Sequence, residues 1–157
     1  MADDTGSGPP SQDSAEFTIT RVVETDPATL WRLWTDPSEL GHWFHPSGMH
    51  TPTESISVDL REGGGYRYDM VHDDTGNRAA TGGVYLEVVE PERLVFTWAN
   101  PADTHAAAVI TVSMVDVGDG RTELTLHVSG VAGRPGDDSV YDGWSDALDH
   151  LVEQATS

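Results

Sequence analysis

DLREGGGYRYDM (residues 59–70), followed after a turn by TGGVYLEVVEPERLVFTW (residues 81–98), is the stretch that decides the fold of this chain. Tyr66, Tyr68 and Met70 fall on one face of an extended segment, with Arg67 and Asp69 on the other, because side chains alternate across a strand. Gly63-Gly64-Gly65 precedes that segment as a turn, and Asp73-Asp74-Thr75-Gly76-Asn77 follows it as a hairpin signal. A strand from Gly82 to Glu90, a turn at Pro91-Glu92 and a return strand from Arg93 to Ala99 complete the unit. One face of each strand is aromatic. The reading is a curved antiparallel sheet whose rings point one way and enclose a pocket.

Outward from this core, the N-terminal side supplies one strand and two short helices. Glu16 to Glu24 reads as a strand. Asp26 is an N-cap candidate before Pro27 at the first helical position. Leu30, Trp31, Leu33 and Trp34 give that helix its apolar face, and Asp36-Pro37 ends it and starts a second helix, Ser38 to Trp43. Pro46 to Pro52 reads as a loop and Ser55 to Leu60 as a strand. On the C-terminal side, His105 to Val117 and Arg121 to Val131 form a hairpin around Gly118-Asp119-Gly120, and Gly133 to Asp138 a loop. From about Ser139 the period changes. Val140, Trp144, Ala147, Leu148 and Leu151 lie at helical spacing. A mostly meandering sheet has to cover its aromatic face, and this helix is the long element available to do so.

Composition narrows the function. At 157 residues, one domain spanning 16–157 is expected, after an acidic, disordered tail at 1–15. The absence of cysteine excludes disulfides, thiolate metal sites and thiol chemistry. The start of the chain lacks an apolar signal segment and no apolar run is long enough to span a bilayer, so a cytoplasmic location without stable membrane insertion is expected. The formal net charge is −19, from 27 acids against 8 bases, all of them arginine. Such a field repels nucleic-acid phosphates and anionic lipid heads. It fits a strongly hydrated surface suited to high internal salt, or the arginine bias of a GC-rich genome.

The ordered series of motifs resembles the SRPBCC (START-like, helix-grip) superfamily. The similar branch is the one homologous to the activator of the heat-shock-protein-90 ATPase. The residues that carry the resemblance are Asp26-Pro27 with Leu30 and Trp31, Thr35-Asp36-Pro37, and Leu40 to Trp43-Phe44. Asp59-Leu60-Arg61 with Gly63-Gly64, Gly83 with Glu87, and Pro91 to Trp98 continue it, followed by Thr122 to Leu126, Ser129-Gly130 and Gly143-Trp144. The resemblance covers roughly residues 16–154. It implies an α+β helix-grip fold: a curved antiparallel sheet of about six to seven strands around a long C-terminal helix, with two short helices after the first strand. It also implies a hydrophobic cavity between sheet and helix. Members include ligand carriers, polyketide cyclases and co-chaperone modules. The family often ends its last strand on Thr-His-Ser-Gly. This chain reads Leu126-His127-Val128-Ser129-Gly130, so Val128 takes the usual histidine slot. Alternation then turns Leu124, Leu126 and Val128 inward and His127 outward.

The candidate ligand-binding residues are Trp43, Phe44, Tyr66, Tyr68, Met70, Tyr85, Glu87, Trp98, Leu126, Val128, Trp144 and Leu148. Ordinary core packing is the competing reading for each ring, and the two are compatible, since Tyr and Trp bury a ring yet need a partner for the polar atom. Trp43-Phe44 is placed at the cavity mouth. Glu87 shares a face with Tyr85 and Gly83. Turned inward, it would be a desolvated carboxylate able to move protons with Tyr85. Left at the rim by strand twist or a bulge, it would pair with an arginine. His42, His45 and His50 have loop-like spacing and read as solvated, so no metal and no cofactor are expected. Arg61 and Asp59 read as a structural pair, and Gly63 to Gly65 are not followed by the helix that a phosphate cradle needs. Non-catalytic binding of a hydrophobic or aromatic small molecule, such as a lipid, is the leading reading. A polyketide cyclase- or dehydratase-like enzyme using Glu87 and the cavity tyrosines is the first alternative. A co-chaperone-like module with a chaperone partner is the second. Homodimerisation through an apolar surface stays open.

Overall fold

Asp26 begins the helical part as its sequence requires. Its carboxylate accepts from the Thr29 backbone N–H at 2.8 Å, and the Thr29 side chain first, then this backbone bond, hold its pKa below the usual carboxylate value. Asp36 both ends the first helix and caps the second, accepting from Ser38 N–H at 3.0 Å. The computed structural model describes residues 16–45, 48–99, 107–130, 135–136 and 140–155. The expected disordered tail at 1–15, His105, Ser139 and most of the expected loop at Gly133 to Asp138 lie outside the described residues.

In chain order the elements are β1 (Glu16–Val23), α1 (Pro27–Thr35), α2 (Pro37–Trp43), β2 (Met49–His50), β3 (Ser57–Val58), β4 (Gly65–His72), β5 (Arg78–Val89), β6 (Arg93–Ala99), β7 (Ala107–Gly118), β8 (Arg121–Ser129) and α3 (Val140–Ala155). The strands form one curled antiparallel sheet in the order β1-β8-β7-β6-β5-β4-β2, with β3 beside β4. This is the helix-grip arrangement, with α1 and α2 entering between β1 and the rest. No helix among the described residues is long and apolar enough to cross a membrane.

Met49–His50, inside the expected loop at Pro46 to Pro52, pair with β4 as a short strand instead, and two boundaries differ from the sequence reading for local reasons. The strand expected over Ser55 to Leu60 shrinks to Ser57–Val58, because Thr53–Ser55 take a 3-10 turn and Asp59 already bends into the glycine turn. There, Asp59 N–H donates to Gly65 O at 2.9 Å, and Arg61 Nε to the Asp59 carboxylate at 3.0 Å. Strand β5 begins at Arg78 rather than Gly82. The Asp69–Arg78 ion pair, 3.0 Å, ties its start to β4.

Strand β5 changes partner midway. Arg78 to Val84 pair with β4, and Tyr85 onward with β6. At the hand-over β5 and β6 approach so closely that a Cβ on Gly83 would lie 2.0 Å from Thr97 O. Tyr66, opposite Gly83, donates its hydroxyl to that same Thr97 O at 2.7 Å. Val84 N–H donates to the Thr97 hydroxyl oxygen at 2.9 Å. Side-chain bonds thus satisfy backbone groups that the ladder leaves open here.

Helix α3 packs against α1, α2 and β1. Trp144, Ala147, Leu148 and Leu151 make its buried face. On its solvent side, Arg21 of β1 donates to Ser145 Oγ at 3.0 Å and Asp149 Oδ1 at 3.4 Å. The core is a single cluster running from Phe17 and Ile19 through the helices to Leu148 and Leu151.

Candidate functional site

The aromatic face of the sheet points inward as alternation requires. Tyr66, Tyr68 and Met70 of β4 are buried, with Leu94, Phe96 and Trp98 of β6 and Leu124, Leu126 and Val128 of β8. Trp144 reaches this face from α3, its ring 5.4 Å from that of Trp98. From the other side Phe44, the residue that caps the end of α2, stacks on Tyr68 at 4.5 Å and 28°. Phe44 also meets Trp34, Trp43 and Trp144 at 6.3, 5.1 and 5.9 Å. Tyr66 continues the wall, 5.4 Å from both Tyr85 and Phe96.

These rings pack closely against one another. Among the described residues a void of about 10 Å³ lies between Trp34, Leu40, Phe44, Tyr66, Tyr85, Leu94 and Phe96. That is the room of about one water molecule. Of the sequence candidates, Phe44, Tyr66 and Tyr85 line it. Trp43, Tyr68, Trp98 and Trp144 stand behind them in the same cluster, and Met70, Leu126, Val128 and Leu148 belong to the wider core. The sequence reading missed Trp34, Leu40, Leu94 and Phe96. Phe96 carried a signal, since it precedes Trp98 by two residues and shares its face. Trp34 was legible as an apolar helix position, but only the fold shows that α1 leans over the sheet.

Glu87 has to be corrected. A bulge between Tyr85 and Glu87 shifts the register of β5 against β6. Tyr85 stays buried, while Leu86 and Glu87 both reach the outer side. Glu87 accepts from Arg93 Nε at 2.7 Å and is 45% exposed. It is a rim ion pair, outside the enclosure and unable to work with Tyr85 on anything held there.

The histidines fall elsewhere. His127 is on the outer face, with Nε2 3.0 Å from Glu16 and Nδ1 2.9 Å from the Thr18 hydroxyl. His50 pairs with Asp73 at 2.7 Å. His45 is half-buried rather than solvated, which corrects the sequence reading. Its ring lies 5.3 Å from that of His150 on α3, and its carbonyl meets His150 Nδ1 at 3.1 Å. Burial first, then the neighbouring His150, lowers its pKa to about 4. Among the described residues no three His, Asp or Glu side chains gather as metal ligands.

The polar atoms on the enclosed face are hydroxyls and indole N–H groups. Burial raises the pKa of Tyr66, Tyr68 and Tyr85 above the ordinary phenol value, so all three are neutral. Trp43 Nε1 donates to Leu33 O at 2.8 Å, and Trp98 Nε1 to the Tyr68 hydroxyl at 3.3 Å. The buried Nε1 atoms of Trp34 and Trp144 have no hydrogen-bond partner among the described residues. The enclosure is therefore apolar, uncharged and supplied with donors.

Solved structures share this architecture. A protein of Chromobacterium violaceum superposes with a TM-score of 0.79 at 25% identity, covering 91% of this chain and 99% of its own. The AHSA1 protein of Silicibacter pomeroyi gives 0.72 at 23%, covering 90% and 98%. A protein of Arthrobacter aurescens gives 0.76 at 18%, covering 94% and 90%. No curated protein matches the sequence. The profile described as "Activator of Hsp90 ATPase homolog 1-like protein" matches residues 24–155, from the turn before α1 to the last residue of α3. With both capped helices, α3 and every strand of the sheet but β1 inside that match, the chain belongs to the family of activator of Hsp90 ATPase homolog 1-like proteins.

Proposed function

We propose that this protein binds a hydrophobic or aromatic small molecule in the interior between the sheet and α3, and does not transform it. The observation that carries the reading is the aromatic wall from Phe44 through Tyr68, Tyr66, Tyr85 and Phe96 around a residual void. Ligand sites are apolar and aromatic with a few placed polar groups, and this wall has that composition. The enzyme alternative loses its carboxylate, since Glu87 sits outside with Arg93. The ionisable groups on the wall are tyrosines whose raised pKa values unsuit them to accept protons near neutrality.

Native mass spectrometry of the protein purified from its own cells tests the reading. A co-purifying small mass, with tryptophan fluorescence quenched on adding the uncharged probe N-phenyl-1-naphthylamine, is expected. No bound mass and no quenching would refute it.

A second reading, an interaction module with a chaperone as partner, is favoured by the apolar residues Val84, Leu86 and Val89 exposed on β5. A Leu86→Asp variant that keeps small-molecule binding but loses a co-purifying protein would support that reading.

A further inference from the structure

Phe44 and the two unpartnered indoles belong to one arrangement. The Phe44 ring is buried at the very end of α2, with a backbone (φ −81°, ψ 59°) that has left the helix. Its stacking on Tyr68 at 4.5 Å puts it where a flat guest on this wall would lie. Trp34 stands 6.3 Å away on one side and Trp144 5.9 Å on another. Those are the residues whose buried Nε1 atoms lack an acceptor, and they are 2% and 5% exposed. A buried donor left unmet is unfavourable, and native interiors rarely keep one without a reason. Two of them flanking the same ring mark a place where an acceptor is missing.

We infer that Phe44 holds the place of a ligand ring, and that the ligand is a flat, uncharged molecule carrying a carbonyl or similar acceptor for the indole N–H of Trp34 or Trp144. This rests on the small-molecule reading above and specifies its chemistry. The ring of the ligand replaces that of Phe44 against Tyr68. Its acceptor meets a donor that the described residues leave idle. An anion is disfavoured twice, by an uncharged lining and by a surface of net charge −19. A purely hydrocarbon guest would fill the space but leave both N–H groups unmet.

The test compares 1-tetralone with tetralin, two bicyclic molecules of nearly the same shape that differ by one carbonyl. Both are titrated into the full-length, nitrogen-15-labelled wild-type chain, following its indole resonances by NMR. Tetralone is expected to bind about tenfold more tightly, the worth of one good hydrogen bond to a buried donor. It should also move the Trp34 or Trp144 indole proton downfield. Trp34→Phe or Trp144→Phe, whichever indole moved, should erase the preference and keep tetralin binding. Where that variant does not fold, the wild-type indole shifts decide. Phe44→Ala should bind both molecules more tightly than wild type. Equal affinities with still indole protons would overturn the inference while leaving the small-molecule reading intact. Binding confined to Phe44→Ala would overturn it as well, by making the site an artificial hole. If neither the wild type nor Phe44→Ala takes up either molecule, the small-molecule reading itself fails.

Discussion

Gly83 shows how much can hang on one missing side chain. Its Cβ position is occupied by the Thr97 carbonyl at 2.0 Å, the same oxygen that accepts the Tyr66 hydroxyl. Gly83→Ala has to push β5 away from β6 and break that bond. We expect it to lower stability by about 1–3 kcal/mol, read as a fall in the urea midpoint with an unchanged slope. The same change at Gly76, where no atom lies within 4 Å, carries only the strain of its positive φ. At this scale the inward residues of β4, β6 and β8 were legible, because those strands keep a strict period of two. Glu87 was not. A bulge inserts one residue and reverses the parity of everything beyond it, and nothing in Tyr85-Leu86-Glu87 announces it.

Among the elements, the contact between α2 and α3 has a titratable centre. His45 follows the end of α2 and packs on His150 of α3, with His50 and Asp73 near enough to act on it. His150 and His50 oppose its charge and Asp73 favours it, but burial dominates. Its pKa of about 4 in the fold lies below the ordinary 6.5, so the neutral ring stabilises the fold above pH 6.5. That contribution is lost as the pH falls from 6.5 towards 4. His45→Gln should therefore lose less stability than wild type between pH 7 and pH 5, as measured by thermal melts across that range. The caps of α1 and α2 were readable from Asp26-Pro27 and Asp36-Pro37, which are local signals. The burial of His45 was not, since it depends on a helix that begins 95 residues later. For the same reason Trp34 and Leu40 went unrecognised as lining residues: short helices show an apolar face but not what that face leans on.

For the whole molecule, the acid excess sets the response to salt. With a net charge of −19, self-repulsion opposes the compact state, and added ions screen it. The melting temperature is expected to rise from dilute buffer to molar KCl, and a flat or falling trend in a scanning calorimeter would refute this. Fold and family were the most legible level, because they rest on many weak signals in a fixed order rather than on any one register. Whether the interior is open or filled was not legible, since it is the sum of ring volumes against a sheet curvature that no sequence pattern states. The void of about 10 Å³ among the described residues has a consequence for time rather than affinity. Along this wall the described residues leave a guest no vacancy of its own size, so it waits for the wall to part. Observed uptake rates should then level off as guest concentration rises, and guests of different structure should share one plateau. Stopped-flow tryptophan fluorescence with two dissimilar probes reads that plateau directly. A rate that climbs without limit would mean that the door is already open.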